Sequence, residues 1–318
     1  MTPPGYRAPA WLAGAHAQTI WPRTRMGVLP DYRRERWETP DGDFIDLDWV
    51  DGPPEAPLLV LFHGLEGSSR SHYSRAIMHA ARAHGWSGVV PHFRGCSGEP
   101  NRLPRAYHSG DSDEIDWVLR RLQAGNRHRP LYAAGISLGG NALAKWAGER
   151  GKEAANVVRA IAAVCAPLDL AVAGRALERG FNRVYTEYFL RSMRSNALVK
   201  LARFPGIASG ERIARARTLY EFDDAVTAPL HGFRSADDYW QRASAKPHLR
   251  GIRVPALLLN ARNDPFLPPH ALPAANEVSR FVVREFPEGG GHVGFVSGRF
   301  PGHLGWLPAR LISYFEAH

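Results

Sequence analysis

Gly135-Ile136-Ser137-Leu138-Gly139 stands between the apolar run Pro130 to Ala134 and a helix-like run from Asn141 to Arg150. A strand, then Gly-x-Ser-x-Gly, then a helix reads as a nucleophile elbow. The logic is steric: the serine must sit on a tight, strained turn so that its hydroxyl stands clear of the sheet. Flanking glycines keep Cβ atoms away from that turn. The following helix aims its first N–H groups and its dipole at the same spot. The pentapeptide alone is also compatible with an ordinary strand-to-helix turn, so the rest of the chain must decide.

Apolar strands alternate with amphipathic segments along most of the sequence. Arg33 to Val50 reads as a hairpin around Pro40-Asp41-Gly42. Pro57 to Phe62, Gly88 to Phe93, Leu131 to Ala134, Ala160 to Cys165, Pro255 to Asn260 and Arg280 to Phe286 read as strands, several apolar enough to be buried on both faces. Ser74 to His84, Asp111 to Gln123 and Leu304 to Phe315 have helical spacing, and Arg120 and Arg121 fall in the last turn expected for the second of these. This alternation predicts an α/β fold, a mostly parallel sheet covered on both faces. One segment breaks it. About 85 residues after Cys165 carry no strand pattern, far too many for a plain loop. Arg175 to Arg203 is helical in pattern, with Phe181, Val184, Tyr188, Phe189 and Met193 on an apolar stripe expected to face inward. The expected organisation is a core over 1–166 and 251–318, with an N-terminal arm over 1–32, and a helical cap inserted over 167–250.

Composition removes several classes. Hydrophobic content is 44% and charged content 22%, the balance of a globular chain. No stretch approaches the ~20 apolar residues of a membrane span. Met1 to Ile20 lacks the basic and apolar regions of a signal peptide. Cys96 and Cys165 have strand-like neighbours and read as two buried free thiols, and with these features a cytoplasmic location is expected. The net charge of +9 permits weak association with anionic membranes. Yet all but four of the 40 basic residues are arginines, scattered through a chain rich in Ala and Pro, which reads as compositional bias. No basic tract interleaved with aromatics suggests a nucleic-acid partner. His-Glu-x-x-His, Cys-x-x-Cys and Walker A patterns are absent, so neither a metal nor a cofactor is expected.

A serine nucleophile needs a base, and the base needs an orienting acid. On a sheet of this kind the three follow in the chain order serine, acid, histidine. Asp264 follows the strand Pro255 to Asn260, and His292 follows the next strand inside Gly289-Gly290-Gly291-His292-Val293-Gly294. Both lie past the C-terminal ends of parallel strands, where sites assemble, and the glycines let the loop bend toward Ser137. Asp223 and Asp224 are the other acids available, but they fall in the expected cap. An oxyanion hole needs two convergent donors. The Leu138 N–H is one, and the Leu65 N–H, in Phe62-His63-Gly64-Leu65-Glu66-Gly67 after an early strand, is the other candidate. His63 reads as structural. Glu66 is either a supporting group or solvent-facing.

Phe62 to Ser69 (FHGLEGSS), His92 to Pro100 (HFRGCSGEP), Tyr107 to Gly110 (YHSG), Gly135 to Asn141 (GISLGGN), Glu221 to Asp224 (EFDD) and Gly290 to Phe295 (GGHVGF) together resemble the YheT-like branch of the α/β-hydrolases. Gly14 to Thr19 (GAHAQT) is similar to that branch's opening segment. The resemblance implies an α/β-hydrolase fold and carboxylic-ester hydrolysis with Ser137, Asp264 and His292 as triad. Some members are medium-chain ester synthases or esterases, and some animal members act on phospholipids. The implied partner is therefore a small-molecule or lipid ester, and an acyltransferase or a phospholipase-type enzyme would use the same triad. A non-catalytic binding protein on this scaffold would usually have lost a triad residue, and none is missing. Two departures stand out. Asn263 replaces the first residue of a common Asp-Asp pair, and Ile136 replaces a common aromatic, a change expected to alter the pocket near the elbow.

Overall fold

The computed structural model describes residues 5–318; residues 1–4 of the expected arm lie outside them. The short helix α1 (Ala15–Ile20) precedes the hairpin of β1 (Arg33–Glu38) and β2 (Phe44–Val50). Then come β3 (Leu58–Phe62), α2 (His72–Ala83), β4 (Ser87–Pro91), α3 (Ser112–Gly125), β5 (Leu131–Ile136), α4 (Leu138–Arg150) and β6 (Ala160–Val164). The chain closes with β7 (Ala256–Leu259), β8 (Val282–Glu285) and a C-terminal helix, Trp306–Glu316. The strands form one sheet in the order β1-β2-β4-β3-β5-β6-β7-β8. β2 pairs antiparallel with β1 and β4, and every pairing from β4 to β8 is parallel.

Sequence explains the layering. β3, β5, β6 and β7 are runs of apolar residues buried along their whole length, because helices cover both faces. On one face Ile115, Val118 and Leu119 of α3 meet Leu143 and Trp146 of α4. On the other, Ile77 and Met78 of α2 pack with Leu311 and Phe315 of the C-terminal helix. α3 runs on to Gly125, so Arg120 and Arg121 lie before its last turn, which holds no basic residue. The expected match of those arginines to the C-terminal dipole is corrected accordingly. Cys165 is buried just after β6, but Cys96 is half-buried in a turn after β4 and is not on a strand; both thiols are free.

No strand lies between β6 and β7. That stretch forms α5 (Leu170–Leu177), α6 (Asn182–Arg203), α7 (Gly210–Arg215), α8 (Leu219–Phe222), α9 (Ala228–Leu230) and α10 (Ala236–Ala243). A π-helical turn, Asp223–Thr227, joins α8 to α9. These helices make a cap with its own small core of Leu190, Ala197, Ile213, Phe222 and Val226. Lys200 fastens α6 to the sheet domain by donating to Asn101 Oδ1 and to the carbonyls of Leu103 and Arg105, and burial pulls its pKa down to about 8. The final helix is hereafter α11 (Trp306–Glu316).

The expected inward stripe on α6 holds only at Met193, which packs on the cap core, and in part at Phe189; its other three members point outward. Phe181, Val184 and Tyr188 are each at least half exposed. The inner face is Thr186, Leu190, Met193 and Ala197, at helical spacing, of which all but the half-buried Met193 are buried. Phe189 turns sideways onto Phe266.

Candidate active site

β5 ends at Ile136, and the chain turns at Ser137 with φ 53° and ψ −119° before α4 begins. A residue with a Cβ is held there at a cost on the order of 1–3 kcal/mol. The Ser137 N–H donates to Val164 O at 2.8 Å, which ties the turn to β6. Close approach explains the glycine after it. A Cβ on Gly139 would stand 2.6 Å from the carbonyl oxygens of Phe62 and His63, so any larger residue would push α4 off β3.

His292 and Asp264 both reach this turn. His292 Nε2 lies 3.0 Å from Ser137 Oγ, and His292 Nδ1 lies 2.8 Å from Asp264 Oδ2. The carboxylate fixes the ring proton on Nδ1, leaving Nε2 as acceptor for the serine O–H. Asp264 is itself held, because its Oδ1 accepts from the Phe266 N–H at 2.8 Å. The Phe266 ring lies 4.2 Å from the imidazole and shields it from solvent. The Asp264 carboxylate is fully buried and the imidazole nearly so.

The loop after β3 lies against the same turn, since a Cβ on Gly64 would stand 3.2 Å from Ser137 Cβ. Neighbouring donors in this loop are occupied: the Gly64 N–H by Tyr73 Oη and the Glu66 N–H by Tyr107 Oη. The Leu65 and Leu138 N–H groups find no acceptor among the described residues. Both residues line a cavity of about 400 Å³ between the sheet and the cap. Its apolar wall includes Met193, Ala197, Ile213, Phe222, Val226 and Leu230.

The remaining candidates fall elsewhere. His63 is buried and structural: its Nε2 accepts from the Phe93 N–H, and Nδ1–H donates to Gly64 O. Burial pushes its pKa down to about 3. Glu66 accepts from Tyr107 Oη and from Asn196 Nδ2 of α6, so it links the loop to the cap. Asp223 is buried among Thr227 Oγ1 and the Trp240 indole N–H, its pKa pushed up to about 6 by burial. Asp224 accepts from Arg212 and from the Ala236 N–H. Neither contacts His292. Ile136 is fully buried in the core on the α2 and α11 side and is not among the residues that line the cavity.

Four polar residues escaped sequence reasoning. Gln18, Thr19 and Asn263 bind backbone N–H groups of the loop that carries His292. Cys165 lies beneath that loop, where its Sγ accepts from the Val293 N–H. The local signals were the similarity of Gly14 to Thr19 to a family segment and the departure at Asn263. Ligand atoms of Cys165, Asp264 and His292 lie within 4.8 Å of one another. Their chemistry does not suit a metal. Burial and the charge of Asp264 push the Cys165 thiol well above its usual range, so it stays protonated, while Asp264 and His292 are spent on each other.

A family profile described as alpha/beta hydrolase fold matches residues 57–298. The Escherichia coli (strain K12) protein named "Putative esterase YheT" is 42% identical over 315 residues, covering 96% of this chain and 92% of that one. The chain belongs to the YheT-like branch of the α/β-hydrolases. The Mus musculus protein named Phospholipase ABHD3 is 30% identical over 307 residues, covering 93% of this chain and 74% of that protein. Among solved structures, the Pyrococcus furiosus esterase Pf2001 superposes with a TM-score of 0.56 at 15% identity, over 90% of this chain and 92% of that one. That likeness speaks for the α/β-hydrolase fold alone. Among the described residues of this α/β-hydrolase, no helix is long and apolar enough to cross a membrane.

Proposed function

We propose that this α/β-hydrolase cleaves carboxylic esters through an acyl-enzyme on Ser137. The observation that carries the reading is the hydrogen-bond chain Ser137–His292–Asp264, built on a strained turn beside two unoccupied backbone donors. Ser137 Oγ attacks the ester carbonyl carbon as its proton passes to His292 Nε2. Asp264 holds the imidazole in the reactive tautomer and stabilises the imidazolium. The N–H groups of Leu65 and Leu138 receive the oxyanion. Collapse expels the alcohol, which takes the proton from His292. Water, activated by the same histidine, then releases the acid and restores Ser137.

The cavity supports a preference for short-to-medium acyl chains. Leu65 and Leu138, which flank the Ser137 turn, line it together with apolar residues of the cap. Each CH₂ buried there contributes about 0.8 kcal/mol, so kcat/KM rises with chain length. It falls once the chain outgrows the space, since overpacking costs roughly 1–3 kcal/mol. For p-nitrophenyl esters from acetate to palmitate, the expected kcat/KM profile has a maximum at an intermediate length. A profile still climbing at palmitate, or activation at a lipid–water interface, would indicate a long-chain lipid hydrolase with a mobile cap. A flat, negligible profile with every ester would indicate a binding protein instead.

No step above uses a metal. Turnover is therefore expected to survive exhaustive chelation and to ignore added divalent ions. Loss on chelation, restored by zinc or manganese, would contradict the mechanism.

A further inference from the structure

The loop carrying His292 is strained along its length. Gly290 and Gly291 have φ of 138° and 57°, and Val293 and Phe295, which carry side chains, have φ of 58° and 42°. Such a loop keeps one shape only when its surroundings over-determine it. Much of that restraint comes from a segment more than 270 residues away in sequence. Gln18 Oε1 accepts from the Gly290 N–H at 2.7 Å. Asn263 Oδ1 accepts from the Gly291 N–H at 3.0 Å, and Asn263 Nδ2 donates back to Gln18 Oε1 at 2.9 Å. Thr19 Oγ1 accepts from the His292 N–H at 2.9 Å. Three consecutive amides are thus gripped by α1 directly or through one asparagine. Gln18 and Thr19 are anchored in turn, donating to Leu12 O and Ala15 O.

The glycines of this loop acquire a second purpose. A Cβ on Gly294 would stand 2.0 Å from Gln18 O, and one on Gly291 2.8 Å from Thr19 N and Oγ1. The frame around His292 makes room for the arm to lie on the loop, besides letting the loop bend. The arm also touches the cap, because His16 Nδ1 lies 3.1 Å from Tyr185 Oη on α6, and the Tyr185 ring packs on Phe266, next to His292.

We propose that Gln18 and Thr19 are positioning residues that set the aim of His292 toward Ser137. The proposal rests on His292 being the base of the reaction above. Losing one grip leaves the cavity intact and loosens the imidazole, and misplacement by about 1 Å is enough to cost on the order of 10²-fold in rate.

The test compares Thr19→Val, which keeps the shape and removes the hydroxyl, with Thr19→Ser, which keeps the hydroxyl, and with Gln18→Met. With p-nitrophenyl butyrate, Thr19→Val and Gln18→Met are expected to lower kcat by roughly 10- to 100-fold with KM within about twofold, while Thr19→Ser stays near wild type. Amide exchange of segment 287–296, read by mass spectrometry, is expected to speed up in the first two variants only. This second readout needs no turnover, and it also decides the outcome for a variant of reduced yield. The proposal is overturned by unchanged kcat and exchange in Thr19→Val, by losses confined to KM, or by Thr19→Ser failing as badly as Thr19→Val. Wild-type protein without ester turnover would instead defeat the catalytic reading, while faster exchange in Thr19→Val would still uphold the grip on the loop.

Discussion

Ser137→Ala abolishes ester hydrolysis: kcat drops by a factor on the order of 10⁶, the scale seen when a triad nucleophile is removed in subtilisin. The size follows from chemistry, because among the described residues no other hydroxyl or thiol meets His292 Nε2. Cys165, whose Sγ lies within 4.8 Å of the imidazole, is buried and protonated under the loop, so it cannot substitute. The fold should not suffer. Alanine meets the same backbone strain at φ 53° as serine does, and the Ser137 N–H keeps its bond to Val164 O. The melting temperature is therefore expected to stay within a few degrees of wild type. More than a few per cent of residual turnover in a clean preparation would mean the nucleophile is misassigned.

Asp264→Asn costs roughly 10⁴ in kcat, with a much smaller change in KM. An amide in place of the carboxylate can present its NH₂ to His292 Nδ1. The proton then moves to Nε2, where it faces Ser137 Oγ and blocks general-base action. The amide oxygen can still accept from the Phe266 N–H, so the loop keeps its bond to this side chain. Asp223→Asn and Asp224→Asn are the controls. Their carboxylates are used by Thr227, Trp240, Arg212 and the Ala236 N–H inside the cap. Neither change should lower kcat by more than about threefold, since neither carboxylate touches His292 and any cost falls mainly on stability. A large catalytic loss confined to Asp224→Asn would move the acid into the cap and defeat the assignment.

The sheet was readable because its physics is local. β3, β5, β6 and β7 are apolar runs with turn residues at both ends, and burial on both faces leaves little else for such runs to do. The placement of Ser137, Asp264 and His292 was readable for the same reason: each follows a strand, and parallel strands bring their C-terminal ends together. Helix ends were less legible, as α3 shows. Nothing in Asp111 to Gln123 says that the helix goes on to Gly125.

The face of α6 was misread for a different reason. Phe181, Val184 and Tyr188 are more apolar or aromatic than Thr186 and Ala197, yet the latter are buried. Apolar residues occur on both sides of this helix, so hydrophobicity alone cannot select the inner one. What selects it is the shape of the cap core, where Thr186 also satisfies Leu177 O. Phe181 and Tyr188 instead meet the N-terminal arm, through His16 and Arg23. Likewise Gln18 and Thr19 look like ordinary polar residues of a short helix. Their partners are loop amides at the far end of the chain, which no local pattern can reveal.

A fluorophosphonate probe reports directly on whether Ser137 is the activated nucleophile. The wild-type chain is treated with the probe and digested, and the modified residue is located by mass spectrometry. One stoichiometric adduct is expected, on Ser137, with ester hydrolysis lost in parallel; His292→Ala should slow its formation by orders of magnitude. An adduct on any other residue, or undiminished hydrolysis in protein fully labelled at Ser137, would contradict that assignment.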